Sequence, residues 1–222
     1  MNTVYRFRIY PNKSQRELFA KTFGCVRFVY NRMLAEKKAY YEKTGKNLSV
    51  TPARYKSEFP WLKEVDSLAL CNAQLHLQTA YKNFFRDDSA GFPKFKSKKK
   101  PVRSYTTNCV NENIALQNGR LKLQKAGWVH IRQHRKIEEG YQLKDATITQ
   151  EADERYYVAL LYSCEEPVNE IRKAESVIGL DFSMKELYVD SNGNHAAYPH
   201  FFSKAQKKLA REQRKLSHCE LG

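Results

Sequence analysis

The chain has 222 residues with 39 Lys or Arg against 24 Asp or Glu, a net charge of +15. That length buries a real core, in one large domain or in a few small ones, and changes in pattern along the chain favour small ones. So large a positive excess selects a polyanion as partner, most economically nucleic acid. No run of about eighteen apolar residues is present and MNTVYRFRIYPN lacks a signal-peptide core, so no membrane partner is expected and the cytoplasm, in association with the nucleoid, is the expected location.

TVYRFRIYP alternates apolar Val4, Phe7 and Ile9 with Arg6 and Arg8, and predicts a first strand ended by Pro11. Ser14 followed by Glu17 has the spacing of a capping box, which predicts a short helix through Leu18, Phe19 and Phe23 to Gly24. A second helix carries Val26, Val29, Tyr30, Met33 and Leu34 at three- and four-residue spacing until Gly45 closes it. After Pro52 and Pro60 a third helix is expected from about Asp66 to Arg86, with Leu77, Ala80, Tyr81 and Phe84 on one stripe.

From Gly91 the texture changes. GFPKFKSKKKP sets Lys94, Lys96, Lys98, Lys99 and Lys100 around Phe92 and Phe95, too charged for a helix interior, and reads as a basic loop. Clustered lysines beside aromatics suit phosphate contact with stacking. Asn118-Gly119 between alternating residues is a hairpin signal, and strands follow at Trp128 to Arg132, Lys144 to Thr149 and Tyr156 to Ser163. Short strands so spaced suggest a small barrel or sandwich, completed by the first strand with the helices inserted.

A charged linker, Glu165 to Glu175, leads to VIGLDF and KELYVD as two strands and to a third at about His195 to Tyr198. A basic helix, SKAQKKLAREQRKLSH, starts at Ser203. The five cysteines form no Cys-x-x-Cys pair, so neither a zinc ribbon nor a disulfide framework is read, and they are taken as reduced, part-buried thiols.

Asp181 ends an apolar strand, a rigid place for one metal-ligating carboxylate. Capping the strand, or pairing with Lys185 or a nearby Arg, are alternatives that the residues themselves leave open. Asp190, before Ser-Asn-Gly, reads as an ordinary turn residue.

Four blocks decide between these readings. MNTVYRFRIYPNKSQRELFAKTFGCVRFVYNRMLAEKKAYYEKTG, AYKNFFRDDSAGFPKFKSKK, GRLKLQKAGWVHI and GLDFSMKELYVDSNG resemble, in order and spacing, the TnpB family of transposon-encoded proteins, the OrfB type long labelled transposases. The resemblance implies an RNA-guided, Mg²⁺-dependent DNA endonuclease, ancestral to type V CRISPR effectors, with guide RNA and double-stranded target DNA as partners. It implies an α+β architecture: a wedge-type β-barrel (1–12 plus 91–166), an inserted helical recognition domain (13–90, helix-turn-helix-like) and the first part of an RNase H-like, or RuvC, α/β nuclease domain (176–222).

By position Asp181 matches the family's first RuvC carboxylate, and so a catalytic metal ligand. Ser183 stands where the family usually has Gly. The family's later Glu, its zinc ribbon and its final Asp would lie beyond Gly222, so the resemblance implies a truncated nuclease domain that does not cut by itself; a nuclease-inactive, RNA-guided or plain DNA/RNA-binding protein is the alternative. Lys94, Lys96, Lys98, Lys99 and Lys100, with Arg27 and Arg32, are expected on backbone phosphates. Asn72, Gln74 and Asn111 are candidates for the short duplex motif beside the target, because Asn and Gln pair bidentately with adenine.

Overall fold

The computed structural model describes residues 2–99, 102–164, 176–182 and 186–219. Two compact units divide the chain, Met1–Val168 and Asn169–Gly222.

The first unit opens with β1 (Asn2–Tyr10), whose Phe7 and Ile9 face inward while Arg6, Arg8 and Tyr10 face out. Pro11 ends it, and Asn12 caps α1 (Lys13–Thr44). The capping box is formed by Asn12 and Gln15, not by Ser14 and Glu17: Asn12 Oδ1 accepts from the Gln15 backbone N–H at 2.9 Å, and Gln15 Oε1 accepts from the Asn12 N–H at 3.0 Å. Gln15 Nε2 also donates to the carbonyls of Ala126 and Trp128, both at 3.0 Å, tying the helix start to the sheet.

The two short helices expected to meet at Gly24 are one continuous helix of 32 residues. A mid-helix glycine costs about 1 kcal/mol relative to alanine, which burial of Phe19, Phe23, Cys25 and Val29 on either side of it outweighs. Gly45 closes the helix in the left-handed region at φ 67°, its N–H reaching the Tyr41 carbonyl at 2.8 Å.

A single turn, α2 (Tyr55–Glu58), precedes α3 (Ser67–Arg86), capped by Asp66 through the Leu68 N–H at 2.9 Å. Seven antiparallel strands follow the order β2-β6-β7-β1-β5-β4-β3, where β2 is Arg103–Asn108, β3 Ala115–Gln117, β4 Arg120–Leu123, β5 Gly127–Arg132, β6 Gln142–Gln150 and β7 Tyr156–Ser163. Asn118 and Gly119 turn β3 into β4 with φ of 47° and 67°, the positive values a tight hairpin turn requires. β1, first in sequence, lies inside the sheet between β7 and β5. β2 and β3 form the two edges.

Strand alternation gives the sheet one apolar face. Leu121, Val129, Ile131, Ile148, Val158 and Leu160 pack there against Phe19 and Phe23 of α1 and Ala69 of α3. A second apolar cluster lies among the helices, with Met33, Leu34, Tyr55, Leu62, Leu70 and Leu77 buried. Polar links join helices to sheet: Asp66 Oδ2 accepts from the Thr107 hydroxyl, and Asn72 Nδ2 donates to Asn108 Oδ1 at 2.8 Å.

In the second unit β8 (Leu180–Asp181), β9 (Glu186–Asp190) and β10 (His195–Ala197) form an antiparallel sheet in the order β10-β9-β8. The helix α4 (Phe201–Ser217) starts at Phe201 rather than Ser203, after His200 in the left-handed region at φ 49°. Among the described residues no helix is long and apolar enough to cross a membrane.

Candidate nucleic-acid interface

The lysine loop is docked on the helices. Asn31 of α1 clamps the Lys96 backbone from both sides, its Nδ2 donating to the Lys96 carbonyl at 2.9 Å and its Oδ1 accepting the Lys96 N–H at 2.8 Å. The Lys96 ammonium lies 4.4 Å from the centroid of the Tyr30 ring. Phe92 sits edge-on to Tyr81 and Phe84 of α3, at 5.6 and 5.4 Å between centroids. Lys94, Lys98 and Lys99 project from this fixed backbone, exposed and, among the described residues, without a carboxylate partner. Lys100 lies outside the described residues.

The other candidates separate. Arg27 is half-buried on α1 with no acidic partner among the described residues. Arg32 is already paired, with Glu36 at 2.9 Å and Glu58 at 3.7 Å, so the phosphate contact expected of it competes with two carboxylates. Asn72 is buried, its Nδ2 donating to the Leu68 carbonyl at 3.0 Å and to Asn108 Oδ1 at 2.8 Å, so the donor half of the donor–acceptor pair that would read adenine is engaged within the fold. Gln74 is half-buried on α3. Asn111 is exposed in the turn after β2, at φ 49°, a conformation Asn tolerates.

Asp181 is exposed on β8, directly opposite Val189. Asp190 is opposite Leu180, one position along, so the two carboxylates leave opposite faces of the sheet. The Asp190 carboxylate serves its turn, Oδ1 accepting from the N–H groups of Asn192 and Asn194 at 2.9 and 2.7 Å and Oδ2 from Asn194 Nδ2 at 2.7 Å. Those bonds, the Asn194 side chain first, hold it below the usual carboxylate range. Glu186 contacts the His195 ring. Among the described residues no three His, Cys, Asp or Glu side chains gather to hold a metal ion, so this donor set does not fit a pair of Mg²⁺ ions about 4 Å apart, on which several carboxylates must converge. Ser183 and Lys185 lie outside the described residues.

A second cationic surface carries no lysine run to announce it. Arg6, Arg8, Arg132, His134 and Tyr157 line a depression on the outward face of the seven-stranded sheet. Arg8 is opposed to Arg132 on one side and to Tyr157 on the other. These residues are scattered through the sequence and meet only through strand pairing.

Residues 1–46 match the family model HTH_OrfB_IS605, described as a helix-turn-helix domain. In this chain that span holds β1 and the uninterrupted α1. A "Putative RNA-guided DNA endonuclease" of Streptomyces pristinaespiralis is 31% identical over 99% of this chain and 55% of its own length. "Putative RNA-guided DNA endonuclease InsQ" of Escherichia coli (strain K12) is 30% identical over 96% of this chain and 53% of its own. The chain thus spans about half the length of these curated relatives. A protein chain solved in a Cas12f1-sgRNA-target DNA complex aligns over 98% of this chain and 62% of its own at 14% identity, with a TM-score of 0.37. An OrfB-type model at its start and relatives of one kind along nearly its whole length place the chain in one family: it belongs to the TnpB family of transposon-encoded proteins.

Proposed function

We propose that the chain is the guide-RNA- and target-DNA-binding portion of a TnpB-type RNA-guided DNA endonuclease, and that it does not cleave by itself. The observation that carries this is the clamped lysine loop: Asn31 and Phe92 fix the backbone from which Lys94, Lys98 and Lys99 project, on a chain of net charge +15. A fixed backbone holds the cations in register with phosphates without ordering cost at the moment of binding. In this reading residues 1–12 and 91–166 are the wedge-type barrel, 13–90 the recognition domain and 176–222 the first part of a RuvC domain. Lys94, Lys98, Lys99 and Arg27 contact phosphates, while Gln74 and Asn111 are left to read the motif beside the target.

Asp181 would supply one carboxylate to a Mg²⁺ centre of the family's kind. One carboxylate does not hold two Mg²⁺ ions, so cleavage needs further ligands than the described residues bring together. The second reading is a nuclease-inactive protein that binds RNA or DNA.

The test is to express the chain beside its own flanking DNA, sequence the RNA that co-purifies, and offer the complex a matching duplex with Mg²⁺. One discrete RNA from the flank and no cleavage are expected. Random RNA would refute the guide, and cleavage abolished by Asp181→Ala would refute the lack of activity.

A further inference from the structure

Opposed residues in an antiparallel ladder share a face, and every second residue along a strand returns to it. The register therefore sets Tyr157, Arg8 and Arg132 in one row across β7, β1 and β5. Tyr10, His130 and Arg120 form the next row across β1, β5 and β4, and Trp128 and Lys122 a third. The three strands NTVYRFRIY, GWVHIR and RLKL contain no Asp or Glu.

Like charges directly opposed destabilise a ladder, and Arg8 faces Arg132. Among the described residues neither has a carboxylate partner, nor do Arg120 and Lys122; Arg6 alone is paired, with Glu151. Aromatic rings are layered among these cations. The Arg6 guanidinium is 4.6 Å from the Tyr157 ring centroid and that of Arg8 is 5.0 Å from Tyr10. Tyr10 and Trp128 are 40% and 43% exposed, so each ring offers surface to a ligand. The depression between Arg6, Arg8, Arg132, His134 and Tyr157 has a volume of about 400 Å³. Unneutralised guanidinium groups beside open rings match a chain of phosphates carrying unpaired bases.

We propose that this face binds single-stranded nucleic acid at a site separate from the lysine loop: Arg8, Arg120 and Arg132 take backbone phosphates, and Tyr10 and Trp128 stack bases. The assignment rests on the chain being nucleic-acid-binding, and it adds the strand state and the side chains. A duplex is the poorer occupant, because its bases are already stacked on one another and offer no face to Trp128.

The chain has two tryptophans, so Trp61→Phe leaves Trp128 as the sole indole emitter. That variant is titrated with oligouridylate and oligothymidylate of about 16 nucleotides, long enough to exceed the span of most single-strand sites, and with a blunt duplex of the same length. Both single strands are expected to quench Trp128 and the duplex to leave it unchanged. Tighter binding of oligouridylate assigns the face to RNA, and tighter binding of oligothymidylate to a displaced DNA strand. In the wild-type background Trp128→Ala should lower single-strand affinity about tenfold, and Arg132→Gln should flatten the log–log salt slope by about 0.7. Single-strand binding without quenching, and unmoved by both substitutions, would overturn the site while leaving binding through the lysine loop intact. Failure to bind any of the three oligonucleotides would overturn both.

Discussion

Replacing Lys94, Lys98 and Lys99 together by alanine tests the lysine loop by its salt dependence rather than by affinity alone. All three are exposed and lack a carboxylate partner among the described residues, so each is free to displace one condensed counterion. Three phosphate contacts on duplex DNA contribute about −2.7 to the slope of log affinity against log salt. Across a rise from about 50 to about 200 mM salt that slope amounts to a factor of about 40, so the wild-type chain should lose about 40 times more affinity than the variant over this range. Fluorescence anisotropy with a labelled duplex of mixed sequence, read at several salt concentrations, measures both slopes. The loop backbone is held by Asn31 and by Phe92, neither of which is altered, so a folding defect is not the expected cause of any change. Parallel slopes would refute phosphate contact by these lysines, and a loss confined to one DNA sequence would show base readout instead.

Asn31→Ala removes two backbone bonds of 2.8 and 2.9 Å while keeping every lysine, so affinity should fall about fivefold, for about 1 kcal/mol of loop ordering, with the salt slope unchanged; a flattened slope would mean that the unclamped loop loses lysine–phosphate contacts outright. Gly24→Ala places a Cβ in open space inside a continuous helix and should raise the melting temperature by about 2–4 °C, whereas a fall would argue for a break there. Asp66→Ala removes the α3 cap and leaves the buried Thr107 hydroxyl without its acceptor, for a loss of about 2–4 kcal/mol by urea denaturation, and a change under about 0.5 kcal/mol would refute the link. Burial pushes the Cys25 thiol up to about 11, so a thiol reagent at pH 8 should label exposed Cys71 and Cys219 at once and Cys25 only on unfolding.

Residues whose role is set by local chemistry were legible in the sequence. Asn118-Gly119 turned a hairpin, Gly45 ended a helix, and the alternation in Tyr156–Ser163 marked a strand whose ends agree with β7. β2 was missed because its buried face is part polar. In RSYTTN the inward residues are Tyr105 and Thr107, and Thr107 is tolerated there only because Asp66, far off in sequence, accepts its hydroxyl. The same distance hid the role of Asn72, which a polar position on a helix did not disclose until Asn108 was brought beside it. The capping box was misplaced by two residues because two overlapping spacings compete, and the one with Gln15 also gains two bonds to the carbonyls of β5 strand and its approach. Lysines clustered in sequence drew attention to one cationic surface. Arginines clustered only by strand pairing went unseen.

Asp181 shows the same limit from the opposite side. Asp181, Glu186 and Asp190 fall within ten residues of one another in sequence, close enough to suggest a shared site. Strand alternation separates them. Register sets Asp181 beside Val189 and Asp190 beside Leu180, so the turn's own N–H groups claim the Asp190 carboxylate and Asp181 stands on the other sheet face. A one-residue slip of β8 against β9 would put both on one face, but it would also break the Gly179–Ser191 bonds, the backbone one of 2.8 Å and the side-chain one of 3.1 Å, that fix the strand's start. Gathering a second carboxylate around Asp181 therefore requires an element other than β9, and the substitution Asp190→Asn should leave any metal affinity of Asp181 unchanged while loosening the turn. Isothermal titration of the Asp190→Asn chain with Mn²⁺ measures this directly. A loss of Mn²⁺ binding relative to wild type would place both carboxylates on one ion and refute the register argument.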